Sequence, residues 1–85
     1  MMSASLQDQF DAAAAKARET PVSSNVTKLQ IYGLFKQATE GPIGDRKRPA
    51  VYDLTGRAKY DGWKELGNMP QNEAMQHYIA LINTL

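Results

Sequence analysis

The sequence predicts an all-α fold, a four-helix bundle of up-down-down-up topology with a long loop between its second and third helices. Three observations lead there. Apolar residues recur at helical spacing in four separate segments. Capping or breaking residues bound each segment. The stretch from Gly41 to Tyr52 holds two glycines, two prolines and no helical period, far more chain than a tight helix–helix turn needs.

In the first segment, Leu6, Phe10, Ala13, Ala14 and Ala17 follow i, i+4, i+7, i+8 and i+11. This is an amphipathic helix whose narrow face of small residues lets a neighbour approach closely. Ser5 caps it, Asp8 three residues on makes a carboxylate form of a capping box, and Thr20-Pro21 ends it. A second helix is predicted from a cap at Ser23, Ser24 or Asn25, over roughly Val26 to Glu40, to the stop signal Gly41-Pro42. The loop that follows has about a dozen residues, and at ~3.3 Å each they can run back along a helix of ~22 Å, so the third helix is free to lie parallel to the second.

Asp53 or Thr55 caps the third helix, expected over roughly Gly56 to Leu66. Gly56 and Gly62 each weaken it by about 1 kcal/mol relative to alanine, which packing or a ligand must offset. Gly67-Asn68 closes it and Pro70 suits the first position of a fourth helix. There Met75, Tyr78, Ile79, Ile82 and Leu85 follow i, i+3, i+4, i+7 and i+10, a core stripe. Neither repeat nor linker divides the chain, so residues 1–85 read as one domain.

Composition narrows the function classes. The 85 residues include no cysteine, so stability has to come from helix packing, and disulfides, thiolate zinc sites and thiol nucleophiles are excluded together. One histidine, His77, leaves too little for a nucleophile–base pair or a metal site, so the expectation is a protein that is not an enzyme and needs no cofactor. Ten Lys and Arg against nine Asp and Glu give a net charge of +1, too balanced for binding nucleic acid by charge neutralisation. The basic run Arg46-Lys47-Arg48 reads as solvated surface. Met1 to Asp8 has neither a basic start nor an apolar core, and nothing approaches the ~18 apolar residues of a membrane span, so a cytoplasmic monomer is expected.

The most informative segment is Tyr32 to Thr39. Tyr32, Phe35 and Lys36 fall at i, i+3 and i+4, which places two rings and an ammonium side by side, an arrangement suited to a flat anion. Ile31, Leu34 and Ala38 form a separate apolar stripe, so this helix does not need the aromatic face for its own packing. The competing reading makes both rings core, with Lys36 laying its methylenes over them. Arg57-Ala58-Lys59-Tyr60-Asp61-Gly62-Trp63 repeats the association of cations with aromatics, and Ala74 to Ile79 adds Tyr78 on a further helix.

Together these segments, spaced from Phe10 to Ile82 with Arg48-Pro49 and Asp53 between them, resemble the acyl-CoA-binding protein family, also known as the diazepam-binding inhibitor family. The resemblance implies a carrier and pool former for medium- and long-chain fatty acyl-CoA esters, held one to one. It implies transient contacts with acyl-CoA-using enzymes or membranes, and no nucleic acid. By matching motif positions, Tyr32 would face the adenine and ribose phosphate, and Lys36 and Lys59 would pair with the 3′-phosphate. Tyr78 would contribute a hydroxyl contact, Arg18 would approach the phosphate region, and Ala14 would let the ligand near the backbone. Leu29 and Phe35 would line the alkyl groove, with Val26 and Leu54 as further candidates, and Gly33 and Leu34 belong to the same contact set. Phe35 stands where the family often has tyrosine, Tyr60 where it has tryptophan, Arg18 where it has lysine, and Met69 where Ser or Thr often caps the fourth helix. The alternative function is a helical protein-interaction module whose aromatic stripe receives a partner's helix.

Overall fold

Four helices, α1 (Leu6–Glu19), α2 (Asn25–Glu40), α3 (Leu54–Lys64) and α4 (Gln71–Asn83), and no strand make up the described residues of the computed structural model. These are residues 4–85. Met1, Met2 and Ser3, part of the stretch read above for a leader, lie outside them. None of the described helices is long and apolar enough to cross a membrane.

The helix starts follow the capping chemistry. The Ser5 hydroxyl accepts from the Asp8 amide at 3.0 Å, Ser24 accepts from the Thr27 amide at 3.3 Å, and the Asp53 carboxylate accepts from the Gly56 amide at 2.9 Å. Each satisfies an amide that has no partner inside its helix. Because Asp53 rather than Thr55 is the cap, α3 begins two residues before the expected Gly56, and it gives way to turns after Lys64 rather than running to Leu66. Pro70 sits at the cap position of α4, one place before the first helical residue, and supplies no side-chain hydrogen bond there. Gly41 ends α2 with φ of 81°, a left-handed conformation that a side chain would strain.

The helices form a row. α4 packs against α1 and α2, α2 also packs against α3, and the first and third helices do not touch. The up-down-down-up order follows from the long loop, which is tied down along its course. Trp63 donates its indole N–H to the Gly41 carbonyl at 3.0 Å, Arg57 Nε donates to the Pro49 carbonyl at 3.0 Å, and Arg48 pairs with Asp61 through two bonds of 3.1 and 2.7 Å.

Phe10, Ala13 and Ala14 of α1, Ala38 of α2, and Ala74, Tyr78 and Ile82 of α4 form the buried core, with Ile31, Leu34, Met75 and Ile79 packed around it. The predicted stripe on α4 therefore holds through Ile82. Leu85 lies beyond the end of the helix and is 42% exposed. Gln37 is the one polar side chain in the interior among the described residues. Its amide donates to the carbonyls of Gly67 at 3.1 Å and Met69 at 2.8 Å, which fastens the α3–α4 link to α2.

Two glycines set the α2–α3 distance. A Cβ on Gly33 would lie 2.7 Å from the Gly62 carbonyl oxygen, and a Cβ on Gly62 would lie 3.2 Å from the Leu29 carbonyl oxygen. Backbone meets backbone at this crossing. The propensity lost at Gly62 is thus offset by packing that a side chain would prevent.

Candidate functional site

The close α2–α3 crossing brings Tyr32 and Lys59 together. Lys59 Nζ lies 5.4 Å from the centroid of the half-buried Tyr32 ring, near enough for a cation–π contact between the two helices. One turn further along α2, Lys36 reaches over α3. Its ammonium is 5.1 Å from the centroid of the Trp63 ring and pairs with the carboxylate of Glu40. The hydrogen bond from Lys36, followed by its charge and that of Arg46, holds the Glu40 carboxyl below its ordinary range. Tyr32, Lys36 and Lys59 thus present an aromatic face and two ammoniums on one side of the α2–α3 pair, with Trp63 as a buried platform. Trp63 is 5% exposed.

Beside this patch, the rings of Phe10, Phe35 and Tyr78 form a cluster joining α1, α2 and α4. Their centroids are 5.7 Å apart for Phe10–Phe35, 5.0 Å for Phe10–Tyr78 and 5.9 Å for Phe35–Tyr78. The aromatic face of α2 does take part in the core after all: Phe35 stacks on Phe10 while remaining 38% exposed. The reason is the row arrangement, which carries α1 across α4 to within reach of α2. Tyr78 is 2% exposed. Burial pushes its phenol pKa up, and the positive charge of Arg18 on α1 works the other way. Ala14, one turn before Arg18, is buried in the core.

An apolar groove of about 750 Å³ runs along α2 where α3 and α4 both pack on it without packing on each other. Val26, Leu29 and Leu34 form its floor, Ala58, Gly62 and Leu66 one wall, and Met69, His77 and Leu81 the other. Glu65 and Asp61 set carboxylates along the α3 side, Asp61 paired with Arg48. The groove meets the aromatic–cation patch where Leu29 lies one turn from Tyr32 and Ala58 directly precedes Lys59. Its size suits a small-molecule ligand.

Residues 7–82 match the family model described as "Acyl CoA binding protein". The chain belongs to the acyl-CoA-binding protein family. A solved structure, the rice Acyl-CoA-Binding Protein 2, superposes with a TM-score of 0.90 at 41% identity, covering 95% of this chain and 90% of that one. The Acyl-CoA-binding protein homolog of Manduca sexta is 39% identical over 82 residues, 95% of this chain and 91% of the relative. Acyl-CoA-binding domain-containing protein 1 of Arabidopsis thaliana is 47% identical over 76 residues, 89% of this chain, and this chain spans only 22% of that relative's length.

Within this acyl-CoA-binding fold, the structure brings together Tyr32 with Lys59, Lys36 with Trp63, and Phe35 with Tyr78. It sets Leu29, Leu34 and Val26 in the groove, whereas Phe35 and Leu54 do not line it. Gly33 lies buried at the helix crossing. Sequence reasoning missed Glu40 and Arg46 as neighbours of Lys36, although the Lys36-to-Glu40 spacing of i, i+4 is a readable signal. It also missed Leu66, Met69, His77 and Leu81, whose common surface exists only once three helices are docked. Among the described residues, no group of three His, Cys, Asp or Glu side chains gathers as a metal site would require.

Proposed function

We propose that this chain binds a medium- or long-chain fatty acyl-CoA ester one to one and carries it as a soluble, protected pool between acyl-CoA-using enzymes or membranes. The observation that carries the reading is the joining of an aromatic–cation patch to an apolar groove at Leu29 and Ala58. A CoA ester has the matching parts: an adenine to stack, a phosphorylated ribose to pair with cations, and an alkyl tail to bury.

In this reading Tyr32 stacks on the adenine, Lys59 and Lys36 take the 3′-phosphate, and Arg18 approaches the remaining phosphates. The Tyr78 hydroxyl contacts the head-group beside Phe35, above Ala14. Gly33 contributes by keeping α2 close enough to α3 for Tyr32 and Lys59 to act on one ligand. The tail enters the groove past Leu29 toward Leu34. Carboxylates along the groove repel the anionic head and so favour this orientation. Each buried methylene contributes about 0.8 kcal/mol, so a 16-carbon tail offers on the order of 10 kcal/mol before ordering costs. The function is binding and delivery rather than catalysis, by a monomer in the cytoplasm.

Titration calorimetry with palmitoyl-CoA, free CoA and palmitate tests the proposal. Micromolar or tighter binding of the ester, with much weaker binding of either fragment, is the expected result. An absence of heat with the ester would turn attention to a partner helix as the occupant.

A further inference from the structure

The long loop places a second cation, beside Lys36, on the Trp63 ring. Arg46 lies with its guanidinium carbon 4.6 Å from the Trp63 ring centroid, and its Nη2 is 3.4 Å from Oε1 of Glu40, whose other oxygen receives Lys36. One carboxylate therefore bridges an ammonium and a guanidinium, both resting on one indole. Arg46 is not a loose surface side chain. Its Nη1 donates to the Ile43 carbonyl at 3.0 Å and the Pro42 carbonyl at 3.3 Å, and its own carbonyl accepts from the Tyr60 hydroxyl at 2.8 Å. With Nη1 committed to the loop, Nη2 remains directed at Glu40 Oε1, beside the oxygen that receives Lys36.

Two oxygens on one atom, each held by a different cation, is the geometry that one edge of a phosphate presents. A phosphomonoester carries close to two negative charges at neutral pH, more than the single charge of a carboxylate. It is therefore the stronger partner for this pair of cations, and three cations match it better than Lys36 and Lys59 alone.

We infer that Arg46 is a third phosphate-binding cation, acting with Lys36 on the 3′-phosphate of the ligand, and that Glu40 is an internal competitor displaced from both. The inference rests on the acyl-CoA reading given above and extends it to a residue of the Arg46-Lys47-Arg48 run. Arg46 adds selectivity for the phosphorylated ribose, and Glu40 keeps both cations aligned on Trp63 while lowering affinity for that phosphate.

Calorimetry on the whole chain with palmitoyl-CoA and with its 3′-dephospho analogue provides the test, with thermal melts to confirm that each variant folds. Arg46→Ala is expected to weaken palmitoyl-CoA binding by about tenfold, as loss of one charge-assisted contact does. Glu40→Gln is expected to tighten it by about threefold, the scale of an exposed ion pair. Neither change should alter affinity for the dephospho ester. Equal weakening of both esters by Arg46→Ala would make Arg46 a tether for the loop and overturn the inference. Unchanged palmitoyl-CoA affinity in both variants would overturn it as well, while leaving the acyl-CoA reading intact. Failure of the unaltered protein to bind either ester would remove that reading and this inference together.

Discussion

The ammonium of Lys59, on α3, rests over the ring of Tyr32, on α2, at 5.4 Å from its centroid. Neither residue touches the other through sequence proximity, so their meeting reports the docking of two helices. Replacing either with alanine is expected to weaken palmitoyl-CoA binding by about 1.5 to 3 kcal/mol, from lost stacking or a lost charge-assisted bond. The two changes should also be non-additive, with a coupling of about 0.5 to 1 kcal/mol. A double-mutant cycle by calorimetry measures both quantities, and full additivity would separate the two residues' roles.

Gly33→Ala tests the crossing itself. The added methyl would meet the Gly62 carbonyl oxygen at 2.7 Å, where backbone rather than a flexible side chain stands in the way. The helices must part, at a cost of about 1 to 3 kcal/mol. For a domain of this size each kcal/mol lowers Tm by about 4 to 8 °C. Thermal denaturation followed by circular dichroism gives the shift, and an unaltered Tm would show that α2 and α3 are free to separate.

Gln37 holds the α3–α4 link through two carbonyls. Gln37→Leu keeps the volume but removes both donors, leaving the Gly67 and Met69 carbonyls without that partner. The expected loss is about 2 to 4 kcal/mol in urea unfolding. Stability within about 0.5 kcal/mol of the unaltered protein would mean that water replaces the amide.

Acid should weaken two surface pairs in a defined direction. Hydrogen bonds from Lys36 to Glu40 and from Arg48 to Asp61 are the main reason both carboxyls titrate below their ordinary values of 4.5 and 3.8. A folded pKa below the unfolded one means that the stabilisation is present above the unfolded value and is lost as pH falls through the folded value. Nuclear magnetic resonance titration should place both midpoints on the acid side of those values. In Arg48→Ala the Asp61 midpoint should move back up; a midpoint that stays put would assign the shift to another neighbour.

Much of the architecture was legible because it depends on local chemistry. Ser5, Ser24 and Asp53 announce helix starts through their own oxygens, and the spacing of Phe10, Ala13 and Ala14 or of Tyr78 and Ile82 marks buried faces without knowledge of partners. Boundaries were less legible where two caps competed, as at Asp53 and Thr55. In the site, Tyr32 and Lys36 could be placed on one face by helical spacing, and the resemblance supplied Lys59. The destination of Phe35 could not be read, since it depends on α1 crossing α4. Nor could the groove, because it is created by two helices that fail to touch. Arg46 was hidden for a similar reason: a basic run in a loop carries no direction until Trp63 and Ile43 fix it.

The contact between Phe10 and Tyr78 joins the first helix to the last. During synthesis, α1 leaves the ribosome long before its ring partner has been made. Its apolar stripe must stay uncovered while most of the chain is translated, and closure of the core waits for α4 to emerge. Such long-range closure slows folding relative to bundles built from neighbouring hairpins. It also makes emergence of α4, rather than growth of the domain's first half, the event that permits the native state.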